Sequence, residues 1–336
     1  MFTNFFKKYN LPNYRISQLN KHYYKDLSSS FDEMSTLPKE LREKLKEEIQ
    51  LPLLTVISSQ ISKDKNTQKV LFKTSKGSYV ESVLMREKDR NTVCVSCMSG
   101  CPVGCIFCAT GQMGLEELLS EHQIVEQVLY FARILKLEGK KVSNIVYMGM
   151  GEPMLNLKSV ARSIKILTDK EKFDIGKRRI TVSTAGYIPN LKKFLNMKYG
   201  VKLAVSLHAP TQELRDMLMP NISTKNTLKD LFQVLDTYTE ETNKRITYEY
   251  VLLRGINDSV EHAKELALLL KNRLSLVNLI DYNENSCFDF KKSKNTILFK
   301  KILEERNINC TLRKSYGDDI KGACGQLGVA DGRNKR

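Results

Sequence analysis

The chain of 336 residues has no tryptophan, and no apolar run in it approaches the roughly 20 residues needed to span a bilayer. A membrane-crossing helix is therefore excluded. The opening stretch, Met1-Phe-Thr-Asn-Phe-Phe-Lys-Lys8, lacks the basic lead and the long apolar core of a secretory signal. A cytoplasmic location with no membrane partner is the expectation. Acidic residues are scarce beside basic ones: 38 Asp and Glu against 54 Lys and Arg, a formal net charge of +16. That excess favours a nucleic-acid partner, because neutralising phosphates takes Lys and Arg. A Lys-rich, Trp-free proteome bias would give the same count. Hydrophobic residues make up 41% of the chain, enough for one large α/β domain and a small one.

Cysteine is present and crowded. Five of the eight cysteines fall in Cys94-Val-Ser-Cys97-Met-Ser-Gly-Cys101-Pro-Val-Gly-Cys105-Ile-Phe-Cys108. In a chain of this class, clustered thiols point to a metal or to redox chemistry rather than to structural disulfides. Cys101, Cys105 and Cys108 have the spacing Cys-x3-Cys-x2-Cys. It suits a loop wrapped around three corners of a 4Fe–4S cubane, which leaves the fourth iron open to a substrate or cofactor. With Phe107 just before the last ligand, the pattern resembles that of radical-SAM enzymes, in which S-adenosylmethionine binds the open iron. Zinc, with Cys94 or Cys97 as fourth ligand, is the alternative. Zinc sites usually pair two Cys-x2-Cys knuckles, and a second knuckle is absent.

Residues 1–55 read as a small helical unit, with helices from Tyr14 to Tyr24 and from Lys39 to Glu48. It is either an RNA-binding accessory domain or a packing cap. Residues 56–90 switch to β character, with strands at 69–73 and 79–84 flanking a turn at Lys76-Gly77. From Thr92 on, strands at 92–97, 144–150, 178–184, 202–208, 246–253 and 276–282 alternate with helices near 120–138, 157–169, 188–198, 227–243, 258–272 and 294–306. Ser120-Glu-His-Gln123 is a capping box, and Asp258-Ser-Val-Glu261 opens a helix in the same way. Such a series predicts a parallel sheet, either an incomplete barrel or an open doubly wound sheet, with ligands at the C-terminal strand ends. A last strand is expected at 310–314. The glycines of 316–327 suggest a mobile segment, and 328–336 form a basic tail.

Polar residues recur at those strand ends. Gly151 and Glu152 follow the second strand, Ser183 ends the third, Ser206-Leu207-His208 end the fourth, and Asn283 follows the sixth. Each is weak alone, but together they outline a cofactor pocket. Glu152 is placed to receive the methionyl ammonium.

At this point the chain resembles the radical-SAM adenine methyltransferases of ribosomal RNA, the RlmN/Cfr family. The likeness rests on Val80-Glu81-Ser82, on Cys94 to Gly111, on Met148-Gly-Met-Gly-Glu-Pro-Met-Leu-Asn156 and on Arg178-Arg-Ile-Thr-Val-Ser-Thr184. It continues in Ser206-Leu-His-Ala-Pro210 and Gly317-Asp-Asp-Ile-Lys-Gly-Ala-Cys324-Gly-Gln-Leu327. The resemblance implies a partial (βα)6 TIM-type barrel spanning 91–327, with the helical domain and the β extension ahead of it. It implies a 4Fe–4S cluster on Cys101, Cys105 and Cys108, and two S-adenosylmethionine molecules per turnover. Gly151, Glu152, Ser183, Ser206, Leu207, His208 and Asn283 would bind them. Cys324 matches the methyl-carrying cysteine, Cys94 the resolving cysteine, and Glu81 the proton acceptor. Substrates implied are adenosine 2503 of 23S rRNA, methylated at C2, and, in part of the family, adenosine 37 of tRNAs. An electron donor such as flavodoxin or ferredoxin is also implied. Pro153 looks like the C2 enzymes; C8 methylation of the same adenosine, conferring antibiotic resistance, is the alternative within the family. A zinc-stabilised RNA-binding protein without catalysis is the alternative outside it. Two departures stand out: Ser96-Cys97-Met98, where relatives usually have Ser-Ser-Gln, and the acidic Leu115-Glu-Glu-Leu-Leu119 in place of a basic stretch. Cys97, Cys287 and Cys310 are expected to be bystanders.

Overall fold

The computed structural model describes residues 2–223, 226–284 and 288–328, so Cys287 and the tail from residue 329 lie outside the described residues. Its strands are β1 (Thr55–Ile61), β2 (Thr67–Lys73), β3 (Tyr79–Glu87), β4 (Arg90–Cys94), β5 (Met98–Cys101), β6 (Gly114–Leu118), β7 (Asn144–Tyr147), β8 (Ile180–Thr184), β9 (Lys202–Ser206), β10 (Ile246–Leu252), β11 (Ser275–Asp281) and β12 (Cys310–Arg313). One ten-stranded sheet runs β1-β2-β3-β4-β7-β8-β9-β10-β11-β12, and β5-β6 form a separate hairpin. The first four strands of the large sheet pair antiparallel, and β4 onward pair parallel.

The order of the parallel strands follows the chain without reversal. With right-handed crossovers, every connecting helix then falls on the same face. A doubly wound sheet would reverse at a switch point, so that expectation gives way to the incomplete barrel. The second helix of the chain is Asn13–Asn20, running on as one π-helical turn to Lys25, and the third is Lys39–Glu48. The helix Glu121–Leu137 carries the expected cap: Ser120 accepts from the Gln123 backbone and Gln123 reaches back. Its Ile124, Val128 and Leu135 are fully buried. The cap expected at Asp258 falls one residue later. Ser259 pairs with His262, while Asp258 accepts from the Gly255 N–H and the Ser293 hydroxyl.

Among the elements with no counterpart in the sequence reading are the helix Phe2–Lys8, β1, the β5-β6 hairpin and the helix Gln212–Leu218. β1 is an edge strand with almost every residue exposed, so it has no buried face to announce it. The strand expected at 92–97 stops at Cys94 because residues 95–98 bend away to meet the loop after β7. Cys97 N–H and Met98 N–H both donate to Met150 O there. Among the described residues no helix is long and apolar enough to cross a membrane.

The N-terminal helices share one apolar core with the barrel. They dock on the helix Glu121–Leu137 through a polar knot. The Tyr23 hydroxyl donates to buried Glu126, Arg133 pairs with Glu126 at 2.7 Å, and Arg133 and Lys136 donate to the carbonyls of Leu27 and Asp26. Removing Glu126 would strand Arg133 and Tyr23. Glu126→Ala is expected to cost about 2–3 kcal/mol in urea unfolding, below the ~3–5 of a fully buried pair because Arg133 keeps some solvent contact. Unchanged stability would show that this contact does not hold the unit down.

Candidate active site at the strand ends

The cysteine loop does not follow the first barrel strand directly; it leaves the inserted strand β5. It curls on itself through Cys108 N–H to Cys105 O at 3.1 Å and Gly111 N–H to Cys108 O at 3.0 Å. A segment after β9 braces it from outside: Ile106 N–H donates to Leu218 O at 3.1 Å, and the Asn221 amide to Pro102 O at 3.0 Å. A Cβ on Gly111 would stand 2.9 Å from Cys105 O, so only glycine lets the loop close this tightly.

Cys101, Cys105 and Cys108 are free thiols on the wall of one cavity. Burial raises all three, Cys101 to about 12, so each stays protonated until a metal displaces its proton. Among the described residues, no three His, Cys, Asp or Glu side chains converge at the separation of a single ion. A cubane holds its ligands farther apart than one zinc ion does. Three thiols on one cavity wall suit a group larger than a single ion, as an iron–sulfur cluster is.

Of the residues expected around the cofactor, Gly151, Glu152, Ser183, Ser206 and His208 line this cavity. Glu152 already knits β7 to β8, accepting from Met154 N–H at 2.9 Å, Ala185 N–H at 2.7 Å and the Thr184 hydroxyl. A carboxylate has about four acceptor sites, so roughly one is left for a ligand. Burial raises its pKa. The hydroxyls of Ser183 and Ser206 stand 3.4 Å apart on neighbouring strands. His208 sits at φ +59° with Nδ1 accepting from Val251 N–H at 3.1 Å. Burial holds it near 3, so the ring is neutral and Nε2 carries its proton. Leu207 and Asn283 stand elsewhere. The Leu207 side chain is in the main core, and its N–H is taken by Glu249 O. Asn283 lines an adjoining cavity and donates to Cys324 O at 3.1 Å.

The glycines after β7 serve the chain itself before any ligand. A Cβ on Gly149 would lie 2.5 Å from the Ser96 hydroxyl, and one on Gly151, at φ +98°, 2.6 Å from Met98 Cβ. Ser96 explains the closeness: its hydroxyl donates to Glu81 O and accepts from Met150 N–H, while Gln127 brackets its backbone.

The adjoining cavity is lined by Cys94. Cys108, Arg313 and Cys324 line both cavities. Cys324 thus lines both the cavity of Cys101, Cys105 and Cys108 and the cavity of Cys94. Burial pushes Cys94 up to about 12, with Cys324 adding to the shift and Arg313 opposing it. Cys324, then Glu249 and Cys94, hold the Arg313 guanidinium above its ordinary value against the opposing effect of burial.

The segment carrying Cys324 is tethered, contrary to the mobility its glycines suggest. Lys69 Nζ donates to Lys321 O, Glu81 accepts from Gly328 N–H at 2.6 Å, Ala109 N–H donates to Gly325 O, and the Thr110 hydroxyl to Leu327 O. Glu81 is 2% exposed and ion-paired with Lys69 at 2.9 Å, which rules out a solvent-facing strand carboxylate. Nothing in the sequence marked Lys69 or Arg313, since single cations in strands are ordinary. The acidic stretch after Gly114 is spent internally: Glu117 accepts from the Thr74 hydroxyl and faces Lys76, and Glu116 accepts from Ser99. Cys97 is buried in the core and Cys310 is half-buried in β12.

The profile of the Radical SAM superfamily matches residues 95–267, and that of the Ribosomal RNA large subunit methyltransferase N-terminal domain matches residues 1–51. The chain is 43% identical to a "Probable dual-specificity RNA methyltransferase RlmN" of Dictyoglomus thermophilum over 94% of this chain and 90% of that protein. It is 41% identical to a "Ribosomal RNA large subunit methyltransferase N" of Nitrosopumilus maritimus over 94% and 92%. A crystal structure of a radical SAM methyltransferase from Sphaerobacter thermophilus superposes with a TM-score of 0.94 at 42% identity, covering 96% of this chain and 95% of that one.

Reconstituted without oxygen, the wild type should turn brown and retain iron. Cys101→Ala, Cys105→Ala and Cys108→Ala should each lose most of it, and Cys97→Ala should not. A colourless, zinc-loaded wild type would favour the non-catalytic alternative.

Proposed function

The chain belongs to the RlmN family of radical-SAM RNA methyltransferases, and on that premise we propose that it methylates C2 of adenosine 2503 in 23S rRNA, with adenosine 37 of tRNAs as a second substrate. One observation carries the reading: Cys324 stands on the wall common to the cavity of the three cluster cysteines and the cavity of Cys94. In this division of labour residues 1–55 are the RNA-binding accessory domain, 56–90 the β extension, 91–327 the catalytic core and 328–336 a basic tail. Cys101, Cys105 and Cys108 would hold the cluster, which would supply the electron that splits S-adenosylmethionine and so the power to abstract hydrogen.

The protein's own residues do the rest. The Cys324 sulfur takes a methyl group from a first S-adenosylmethionine, losing its thiol proton. Hydrogen is abstracted from that S-methyl group at the expense of a second. The resulting methylene radical on Cys324 bonds to the adenine carbon, so enzyme and RNA are joined. Restoring the aromatic ring releases a proton and one electron, and the oxidised cluster would be the acceptor of that electron. Glu81 takes the proton. Cys94 then attacks the Cys324 sulfur, which frees the methylated base and leaves a Cys94–Cys324 disulfide. Two electrons from a donor of the flavodoxin or ferredoxin class reset it. Gly151, Glu152, Ser183, Ser206 and His208 hold the S-adenosylmethionine. Asn283 holds the Cys324 carbonyl, and Leu207 contributes backbone alone.

Mass spectrometry of the target nucleotide from cells with and without the gene should show 2-methyladenosine that depends on the gene; 8-methyladenosine would assign the chain to the resistance activity. Cys324→Ala should abolish methyl-protein and product together, and Cys94→Ala should accumulate an RNA–protein adduct. Labelled methyl reaching RNA at the normal rate in Cys324→Ala would refute the shuttle.

Burial also sets a pH dependence. With the Cys94 thiol near 12, thiolate is a minority at neutrality and grows with pH. Adduct release in single turnover should rise about tenfold per unit between roughly pH 7 and 9. A flat profile would mean that Cys94 is not the attacking group.

A further inference from the structure

Arg215, on the helix Gln212–Leu218, is fully buried and has no part in the chemistry above. One guanidinium nitrogen, Nη2, donates to Ala185 O at the end of β8 and, at 3.5 Å, to Ser206 O at the end of β9. The other two, Nε and Nη1, are buried and without partners. No ion pair among the described residues includes it. A buried cation is ordinarily matched by an anion, and buried donors are ordinarily bonded. Here both accounts are open at one residue.

The surroundings point to the missing anion. The carbonyl of Leu218, the last residue of the same short helix, receives Ile106 N–H, next to Cys105, and Met219 lines the cavity wall with Cys101, Cys105 and Cys108. Burial lowers the Arg215 guanidinium to about 10, and of the side chains that oppose this shift Cys105 acts most, ahead of Asp216 and Glu152. As thiols the three cysteines are neutral. A cubane held by three thiolates carries one negative charge when oxidised and two when reduced. Cluster loading would therefore place an anion, with sulfur acceptors, beside a cation that lacks one.

Resting on the cluster reading of this loop, we propose that Arg215 is the counter-charge of the 4Fe–4S cluster, donating Nε and Nη1 toward the Cys105 thiolate or an adjacent sulfide and favouring the reduced state. It is a positioning residue: it acts on the electron supply and touches neither substrate nor base. Hydrogen bonds to cluster sulfurs and nearby charge are established means of setting cluster potential.

The test is a redox titration of anaerobically reconstituted full-length protein, followed by the EPR signal of the reduced cluster, without S-adenosylmethionine. Arg215→Met and Arg215→Gln should keep iron but lower the reduced-to-oxidised ratio at a fixed poise at least tenfold, equal to about 59 mV for one electron. Arg215→Lys, which keeps the charge, should recover most of that loss. An unmoved midpoint in iron-loaded Arg215→Met overturns the proposal, as does a shift that appears only once S-adenosylmethionine is added, which would give Arg215 to the methionyl carboxylate. Should the neutral variants fail to fold, pulsed EPR of wild type labelled with ¹⁵N-arginine decides the matter. Nitrogen coupling to the reduced cluster supports the contact, and its absence refutes it. An iron-free wild type overturns the cluster reading and this inference together; iron-loaded protein with no coupling overturns this inference alone.

Discussion

A buried ion pair holds the segment that bears Cys324 in place. Lys69 in β2 and Glu81 in β3 face each other at 2.9 Å, both almost fully buried. Between them they grip the C-terminal segment on both sides of Cys324, through Lys321 O and Gly328 N–H. Such a pair adds little net stability, since desolvating two charges offsets most of their attraction. What it supplies is register. With one partner lost, the other is an uncompensated buried charge, so the segment has a single low-energy seat. That seat puts Cys324 between the two cavities. It also engages both Glu81 oxygens, one with Lys69 and one with Gly328. Both oxygens of the residue proposed to take the proton are therefore engaged in this structure, and the same carboxylate seats the segment that bears Cys324.

The β extension earns its place through that grip. Its strands continue the barrel sheet through β3-β4 pairing, in which Val83 lies opposite Cys94. The strand that carries Glu81 is therefore bonded to the strand that ends in Cys94. Ser82 strengthens the link by donating its hydroxyl to Cys94 O at 2.6 Å. Movement of one relative to the other would break a ladder, so both can serve one reaction at fixed separation. The segment bearing Cys324 is held differently, by single hydrogen bonds rather than by strand pairing.

The barrel was legible because its signals are local and periodic. Apolar runs of strand length alternate with helices whose caps are written in the chain, as at Ser120. The cysteine spacing was legible because three ligands on one loop must follow each other closely. Pieces that depend on distant partners were not. β1 has no buried face, β5 and β6 exist only as each other's partner, and the helix Gln212–Leu218 is a short brace behind the cysteine loop. The tether of the C-terminal segment was missed for the same reason. Its glycines signal freedom to local reasoning, yet Gly317 at φ +68° packs against Thr67 and Gly325 at φ +82° lets its carbonyl reach Ala109. Those glycines shape a docked loop. Lys69, Arg215 and Arg313 were invisible because a cation becomes informative only once it is seen buried.

The acidic stretch after Gly114 shows how charge must be read in context. Taken alone, two added carboxylates beside a proposed RNA path would oppose phosphate. In the fold, Glu117 is buried against Thr74 and faces Lys76 across the β2-β3 turn, and Glu116 holds the Ser99 hydroxyl at 2.7 Å. At least one of those charges is answered inside the protein, and its field at any phosphate is weakened by the cation that faces it. The same hairpin closes over the start of the cysteine loop, pairing Cys101 with Gly114. Gly100 sits at φ +73° within contact of the Gly114 carbonyl, leaving no room for a side chain between the strands. The substitution therefore tightens the frame of the first cluster ligand through bonds to the β extension. A basic stretch at these positions could not make those bonds to Thr74, Ser99 and Lys76, because lysine and arginine side chains donate hydrogen bonds and accept none. The departure is better explained by what it fastens within the protein than by what it would do to RNA.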